Sequence, residues 1–229
     1  MENTNPKHIA IILDGNRRFA KRLMLEPWKG HEFGREKVEN LIKYASNLKI
    51  KQLTFYALSE ENIKTRPKNE LNFLFKLFKE VFSNMDKNEI KRKNIKFKFI
   101  GNLNLIPLEL RKECNKLEKD TKLNSKLIVN IAIAYGGRQE ILRAIKQIIK
   151  KKIPENKITE KIIEKYLYLS SKPDLIIRTG GEKRTSNFLP FQSAYSELIF
   201  LDKMWPEFTK QDLIACIKEF KNRKRNFGK

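Results

Sequence analysis

The sequence predicts an α/β protein in which helices pack on a parallel β-sheet. Short apolar or β-branched runs alternate along the chain with longer segments whose apolar residues recur at helical spacing. Five of the short runs also end directly in a distinctive polar turn. No internal repeat or Gly/Ser/Pro-rich linker interrupts the pattern, so we expect one domain over residues 1–229.

Six short runs are predicted to be strands because they are rich in branched and aromatic residues. The first, "HIAIIL", is followed by "DGNRR", and the second, "KQLTFYAL", by "SEEN". The predicted strands span residues 8–13, 51–58, 95–100, 127–134, 174–178 and 197–201.

The segments between the strands are predicted to be helices, over residues 30–48, 68–88, 106–119, 137–151, 158–168 and 209–223. In the second of them, Leu71, Leu74, Phe75, Phe78 and Val81 form one apolar face. This Phe-rich face either belongs to the core or lines an elongated apolar cavity. The segment "KKIPENKIT" at 151–159 is predicted to be a loop between two helices.

The composition predicts a cytoplasmic protein with free thiols. No signal peptide or long apolar run is present, and Cys114 and Cys216 lie far apart with no histidine near either. The net charge of +22 attracts phosphates of nucleic acids, diphosphates or an anionic membrane, and does not choose among them. Lysine runs such as residues 150–152 also fit ordinary solvated faces.

The polar turns are predicted to form one site, because parallel strands end at one edge of a sheet. Their glycines allow close backbone approach, and helix N-termini after the turns suit a diphosphate. Asp14 and Glu197 would supply the oxygen ligands that Mg²⁺ prefers. Forked donors for phosphate oxygens are available from Arg17, Arg18, Arg66, Arg178 and Arg184.

Each motif taken alone also has a structural explanation. The turn at Asp14 is a common way to end a strand. Ser59 would serve equally well as a helix N-cap. His31 would serve equally well as a surface histidine. The functional interpretation depends on the conjunction of the turns at five strand ends.

The sequence resembles the cis-prenyltransferases over residues 8–228, most closely bacterial undecaprenyl diphosphate synthase. The motifs that carry the resemblance are "HIAIILDGNRRFAKR", "GH" at 30–31, "LTFYALSEEN", "NIAIAYGGRQEI", "PDLIIRTGGEKRTSNFLPFQSAYSELIF" and "WPEF". The resemblance implies a six-stranded, mostly parallel sheet surrounded by helices, a hydrophobic tunnel and a homodimer. It also implies a Mg²⁺-dependent enzyme that adds isopentenyl diphosphate repeatedly to an allylic diphosphate such as farnesyl diphosphate.

The resemblance further implies roles for individual residues. Catalytic roles fall on Asp14, Ser59, Asn62 and His31, and Asp14 and Glu197 would hold the metal. Substrate binding is implied for Gly15, Asn16, Arg17, Arg18, Phe19, Ser59, Glu60, Glu61, Asn62 and Arg66, and, at the isopentenyl diphosphate site, for Arg178, Arg184 and Ser186.

Several positions depart from the family pattern. Pro27 and Asn226 stand where an arginine is usual, although Arg225 adjoins the second position. An aromatic residue is replaced at Leu58 and at Ile63, and Thr65 resembles an insertion. These changes put the rate and the affinity in question more than the reaction class.

Two other functions are compatible with parts of the sequence. A non-catalytic subunit of a heteromeric prenyltransferase would normally lack Asp14, Arg178, Arg184 and Ser186, all of which are present. A nucleic-acid-binding protein is supported by the charge alone, and we expect no nucleic-acid partner. A peripheral contact with an anionic membrane is compatible with the charge. The product length stays open, with undecaprenyl diphosphate favoured by analogy.

Overall fold

The computed structural model describes residues 5–223, which form a six-stranded sheet with helices on both faces. The strand order is β3-β4-β2-β1-β5-β6, and every neighbouring pair is parallel. All six predicted strands are confirmed. They are β1 His8–Ile12, β2 Gln52–Ser59, β3 Ile95–Ile100, β4 Leu127–Tyr135, β5 Leu175–Arg178 and β6 Glu197–Phe200.

Two clusters of buried side chains hold the layers together. Ile9 and Ile11 of β1 belong to the larger cluster, whereas Ala10 and Ile12 point to the opposite face. Because helices cover both faces, the strand is an unbroken apolar run and does not alternate with polar residues. The prediction of a parallel sheet packed between helices is therefore confirmed.

The helices follow the predicted segments, with three differences. They are α1 Asn16–Arg22, α2 Gly30–Asn47, α3 Glu60–Thr65, α4 Lys68–Ser83, α5 Lys87–Arg92, α6 Leu108–Thr121, α7 Gly137–Lys150, α8 Glu160–Tyr166 and α9 Lys210–Asn222. Helices α1 and α3 were not predicted because one or two turns carry too few apolar positions to show a period. The predicted helix 68–88 ends at Ser83, since Asp86 accepts hydrogen bonds from the amides of Asn88 and Glu89 and begins α5.

The cysteines are free and buried, as predicted. Burial raises the pKa of both Cys114 and Cys216 to about 12, so neither thiol is reactive at neutral pH. Over residues 5–223, no helix has the length and apolar character needed to cross a bilayer.

Candidate active site

The centre of the site is an ion pair between the ends of two neighbouring strands. Asp14 follows β1, and Arg178 is the last residue of β5, level with Ile12. The Asp14 Oδ2 atom accepts a hydrogen bond of 2.7 Å from Arg178 Nη2, and its Oδ1 atom accepts one of 2.6 Å from the Gly15 amide. The parallel register therefore brings together two residues that are far apart in the sequence, as the strand-end argument predicted.

The loop after β5 is held by the same arginine. Arg178 Nη1 donates to Ser186 Oγ at 2.8 Å and to the Arg184 carbonyl at 2.5 Å. The Arg184 side chain is exposed and pairs with Glu182. Ser186 and Asn187 both adopt positive φ angles, which lets the loop fold back over the strand end. Arg178 thus fixes the backbone of this loop while Arg184 extends into solvent.

A cationic cavity of about 310 Å³ opens beside this ion pair. Its walls contain one carboxylate and several cations, and they consist of Leu13, Asp14, Gly15, Asn16, Arg17, Arg18, Lys21, His31 and Arg66. The Nε atoms of Arg66 and Arg178 are buried and have no hydrogen-bond partner among residues 5–223. A buried donor without a partner is costly, and Arg66 lines the cavity, so its Nε atom favours an anionic ligand there.

Glu70 is a buried carboxylate that the sequence analysis missed. Its side chain is 1% exposed, and its Oε1 atom accepts a hydrogen bond of 2.6 Å from Arg66 Nη1 and lies 3.6 Å from Arg17 Nε. Burial lowers the pKa of Arg66, and the Glu70 charge opposes that shift. The sequence did contain a signal for this buried carboxylate, because Glu70 lies at helical spacing from Leu74 and Leu77 on the apolar face of α4.

His31 is neutral in this environment. Its pKa is lowered to about 3, first by burial and then by the charges of Arg66 and Arg17. Arg66 Nη1 lies 3.3 Å from the His31 Nε2 atom. Because the guanidinium can only donate, Nε2 is the accepting nitrogen and Nδ1 carries the proton.

An apolar cavity lies directly beneath the cationic one, between α2, α4 and the sheet. Leu13, Asn16 and His31 line both cavities. The remaining walls include Val38, Ile42, Phe78, Val81, Phe82 and Ile131. The two interpretations of the Phe-rich helix are therefore both correct, since Leu74 is buried in the core and Phe78 lines the cavity.

The turn after β2 approaches the site from the other side. Ser59 Oγ accepts a hydrogen bond of 2.9 Å from the Asn62 amide, so the N-cap interpretation of Ser59 is confirmed. Asn62 Oδ1 accepts one of 3.2 Å from Arg66 Nη2. Glu61 Oε1 accepts one of 2.8 Å from Asn187 Nδ2, which joins this turn to the loop after β5.

Two further residues position Asp14 and were not predicted. Its carbonyl accepts hydrogen bonds from Thr179 Oγ1 at 2.8 Å and from the Trp205 amide at 2.9 Å. The Trp205 indole donates to the Gly34 carbonyl at 2.9 Å, which links the start of α2 to the same framework. Backbone acceptors cannot be assigned from sequence, so nothing in the motifs indicated these contacts.

Three predicted site residues lie elsewhere. Glu197 begins β6 opposite Leu175, whereas Arg178 pairs with Phe200, so Glu197 is about 10 Å down the strand from the catalytic edge. It binds Arg223 Nη1 at 2.8 Å. The prediction that Asp14 and Glu197 share a metal is therefore wrong within a single chain. The sequence argument failed because it assigned Glu197 to a site without its strand register.

Glu60 and Phe19 are also displaced from the cationic cavity. The Glu60 carboxylate binds Lys64 at 2.8 Å and faces a separate polar cavity beside Asn102. The Phe19 ring packs edge-on against Phe33, with centroids 5.4 Å apart, and lines neither cavity. Both corrections have the same cause, because neighbouring residues on a helix point in different directions.

The remaining departures are structurally accommodated. Leu58 is buried in the core, and the partly buried Ile63 packs against the same core. The Thr65 hydroxyl donates to the Glu61 carbonyl at the end of α3, and Pro27 begins a 3-10 turn before α2. Arg225 and Asn226 lie outside the described residues.

A metal site made by the protein alone is not present in residues 5–223, where no three His, Cys, Asp or Glu side chains are placed to hold an ion. Asp14 is the carboxylate in the cationic cavity. Mg²⁺ commonly joins one or two carboxylates to substrate phosphates. The donor set therefore fits a magnesium ion that arrives with, or is completed by, a diphosphate.

Comparisons with known proteins agree with this geometry. The family model for undecaprenyl diphosphate synthase matches residues 12–228. A tritrans,polycis-undecaprenyl-diphosphate synthase (geranylgeranyl-diphosphate specific) from Methanopyrus kandleri is 45% identical over 100% of this chain and 86% of its own length. The enzyme of the same name from Thermoplasma volcanium is 46% identical over 98% of this chain and 89% of its own length.

Two solved structures share the fold. Lavandulyl diphosphate synthase from Lavandula x intermedia, in complex with dimethylallyl diphosphate, has a TM-score of 0.93 and 32% identity, covering 98% of this chain and 99% of its own. A probable undecaprenyl diphosphate synthase from Campylobacter jejuni has a TM-score of 0.83 and 34% identity, covering 99% of this chain and 100% of its own.

Proposed function

This chain belongs to the undecaprenyl diphosphate synthase family of cis-prenyl chain-elongating enzymes, and we propose that its allylic substrate is geranylgeranyl diphosphate. The names of the curated relatives support this primer over the farnesyl diphosphate expected from the bacterial resemblance. By the same analogy, the proposed product is undecaprenyl diphosphate, a lipid-carrier precursor.

The observation that carries the proposal is the contact between the two cavities. A cationic cavity with an unpaired donor on Arg66 suits a diphosphate, and an apolar cavity suits a prenyl tail. Leu13, Asn16 and His31 lie on the boundary between them. An allylic diphosphate placed across this boundary would have its reactive C1 atom beside Asp14 and His31.

The proposed reaction breaks the C1–O bond of the allylic diphosphate and releases diphosphate. The allylic C1 atom forms a bond with the terminal alkene carbon of isopentenyl diphosphate, whose C2 atom then loses a proton. Negative charge develops on the departing diphosphate, where Arg17, Arg18 and Arg66 would stabilise it. We assign the diphosphate of isopentenyl diphosphate, the second substrate, to Arg178, Arg184 and Ser186. These residues lie at the end of β5 and in the loop that follows it.

A magnesium ion held by Asp14 and the diphosphate would supply further charge neutralisation to the leaving group. The protein's own contribution is to orient the Asp14 carboxylate. Gly15, Thr179 and Trp205 fix the Asp14 backbone and side chain, and Arg178 binds one of its oxygens. These contacts fix the position of the Asp14 carboxylate before the substrate binds.

The turn after β2 is assigned to catalysis and positioning. Asn62 holds the Arg66 guanidinium, and Ser59 fixes the first turn of α3. His31 is neutral with its proton on Nδ1, so it can donate a hydrogen bond to a phosphate oxygen without adding a cation. Glu61 is assigned to closing the turn against Asn187, and Glu60 is not assigned to the substrate.

The apolar cavity is narrow in this structure. It provides about 80 Å³, whereas ligand pockets commonly measure about 300–1,000 Å³. Helices α2 and α4 must therefore move apart to admit a long prenyl chain. Each buried CH₂ contributes about 0.8 kcal/mol, which favours that separation as the chain lengthens.

Initial-rate measurements with the two primers test the proposed specificity. We expect kcat/KM for geranylgeranyl diphosphate to exceed that for farnesyl diphosphate by about tenfold or more, since the longer chain buries more apolar surface. Equal values, or a preference for farnesyl diphosphate, would overturn the primer assignment and leave the family assignment intact.

A homodimer is proposed from an apolar stripe on α7. Leu142, Ile145 and Ile149 are spaced three and four residues apart and are each about half exposed or more. Sedimentation of the wild type and of Ile149→Lys tests this proposal. We expect the wild type to be a dimer and Ile149→Lys to dissociate more readily. A monomeric wild type would contradict the proposed homodimer.

Peripheral contact with an anionic membrane is proposed from the net charge of +22 and from the apolar character of the product. A cytoplasmic location remains a prediction from the sequence.

A further inference from the structure

The connection between α1 and α2 exposes apolar side chains to an unusual degree. Met24 is 95% exposed, the highest value for a large apolar residue in the described part of the chain. Leu23, its neighbour in the sequence, and Phe33, whose ring packs against Phe19 of α1, are each more than two fifths exposed. We call these three residues, together with the partly buried Trp28, the α1–α2 shoulder.

Met24 lies in the left-handed turn that ends α1. The Met24 amide donates to the Lys21 carbonyl and the Leu25 amide to the Ala20 carbonyl, which is the Schellman pattern at a helix end. Met24 occupies the left-handed position of this motif, with φ of +55°, where glycine is usual. Lys49, Asn94 and Lys152 adopt the same conformation after other helices, so a function for Met24 is inferred from its exposure and not from its backbone.

The shoulder is surrounded by positive charge. Residues 17–35 contain six Lys or Arg and two Glu. Lys21 and Lys29 are exposed and have no ion-pair partner within residues 5–223. The four arginines are held by carboxylates, since Arg17 lies near Glu70 and Arg18, Arg22 and Arg35 pair with Asp14, Glu207 and Glu39. Exposed apolar side chains beside unpaired lysines are typical of surfaces that bind the headgroup region of an anionic bilayer.

The shoulder also lies close to the substrate cavity. Arg17 and Arg18 at the start of α1 line the cationic cavity, and Leu23 follows the other end of this helix, about 10 Å away. The Phe19 ring of α1 packs against Phe33 of the shoulder. A surface that binds lipid here would hold the cavity next to the bilayer in which a long allylic diphosphate partitions.

We propose that the α1–α2 shoulder inserts into the surface of an anionic lipid bilayer, with Leu23, Met24 and Phe33 in the headgroup region and Lys21 and Lys29 against the lipid phosphates. The inference rests on the proposed function only for its physiological purpose. The docking itself depends on the exposure of the apolar side chains and on the two unpaired lysines.

Vesicle binding by the full chain tests the proposal. Vesicles of phosphatidylcholine alone are compared with vesicles that also contain phosphatidylglycerol, at low and high salt, by flotation. Tryptophan emission provides a local signal, because Trp205 is 1% exposed and Trp28 belongs to the shoulder. We expect binding to the anionic vesicles only, with a blue shift of the emission, and loss of binding at high salt.

Substitutions in the shoulder are compared with a matched surface site. Leu23→Ser combined with Met24→Gly should reduce vesicle affinity about tenfold, and Lys29→Gln about fivefold. Met24→Gly alone should leave thermal stability equal or higher, which separates lost docking from misfolding. The matched controls are Leu123→Ser and Lys122→Gln, since Leu123 is 87% exposed on a distant helix end and Lys122 adjoins it. The controls should change affinity less than twofold.

Prenyl transfer from a detergent-dispersed primer distinguishes this proposal from the proposed function. Met24→Gly should keep the wild-type rate in detergent and lose rate on anionic vesicles. Vesicle binding that depends on the shoulder, without prenyl transfer, would support the docking surface and contradict the proposed function. Absence of anionic vesicle binding, equal effects of the control variants, or a shoulder variant that changes only the oligomeric state would overturn the docking surface.

Discussion

Replacing Glu70 should destabilise the protein far more than replacing another glutamate on the same helix. Glu70 is buried and holds Arg66 at 2.6 Å, and the Arg66 side chain is only 15% exposed. Glu70→Ala would leave Arg66 and Arg17 near each other without their shared carboxylate. Removing one partner from a buried ion pair costs about 3–5 kcal/mol, and we expect about 3 kcal/mol here because the cavity admits water.

The size of the effect can be checked by chemical denaturation and by thermal unfolding. A loss of about 3 kcal/mol corresponds to a decrease in Tm of about 6–12 °C for a domain of this size. Glu70→Gln keeps an acceptor for Arg66 and should cost about 1.5 kcal/mol. Glu80→Ala is the control, because Glu80 is about half exposed and lies 4.0 Å from Lys76. We expect this control to cost less than about 0.5 kcal/mol.

Inorganic pyrophosphate adds a readout that depends on the cationic cavity. An anion between Arg66 and Arg17 would partly replace the missing carboxylate, so pyrophosphate should raise the Tm of Glu70→Ala more than that of the wild type. The reasoning is refuted if Glu70→Ala is no less stable than Glu80→Ala, or if pyrophosphate stabilises both proteins equally.

Three further predictions concern the strand end, the core and the cavity wall. Asp14→Ala should leave a folded protein and reduce turnover by about a thousandfold or more, because the carboxylate that orients the leaving group is lost. Single-turnover rates measure this effect. Near-normal turnover would show that the catalytic assignment of Asp14 is wrong. His8 is buried, and burial lowers its pKa to about 4. Between pH 6.5 and 4 the unfolded chain therefore binds more protons than the folded chain. The free energy of unfolding should fall by about 3 kcal/mol as the pH decreases through that range. His8→Gln should flatten this part of the pH profile measured by urea denaturation, and an unchanged slope would contradict the assignment. Gly34→Ala should lower the free energy of unfolding by about 1–3 kcal/mol and raise the KM for the primer. The reason is steric, because the added Cβ atom would come within 2.4 Å of Asn16 Oδ1 and 2.7 Å of Trp205 Cδ1. Unchanged stability and KM would show that the cavity wall is not rigid.

The strands and the Asp14–Arg178 pair could be predicted from the sequence because both follow from one physical rule. Buried parallel strands are continuous apolar runs, and their carboxyl ends lie together. This rule was sufficient to bring residues 14 and 178 into one site. It was not sufficient for Glu197, because the rule specifies which edge a strand end occupies but not the register of a residue at the start of β6.

Side-chain direction on short helices was the other limit. Glu60 and Asn62 both follow β2, yet Glu60 faces a separate cavity and Asn62 holds Arg66. Glu70 was missed because its apolar neighbours on α4 indicated a core face, and only packing in three dimensions shows which arginines meet it. Thr179 acts on a backbone carbonyl, and such contacts leave no pattern in the sequence.

The measurement that tests the account most directly is incorporation of labelled isopentenyl diphosphate into geranylgeranyl diphosphate, with and without a metal chelator, with the products separated by chain length. The account predicts a ladder of products that ends at one length and disappears when the chelator is added. A folded protein that forms no product from either geranylgeranyl or farnesyl diphosphate, or whose product yield does not respond to the chelator, would contradict the assignment of the two adjoining cavities to metal-assisted prenyl elongation.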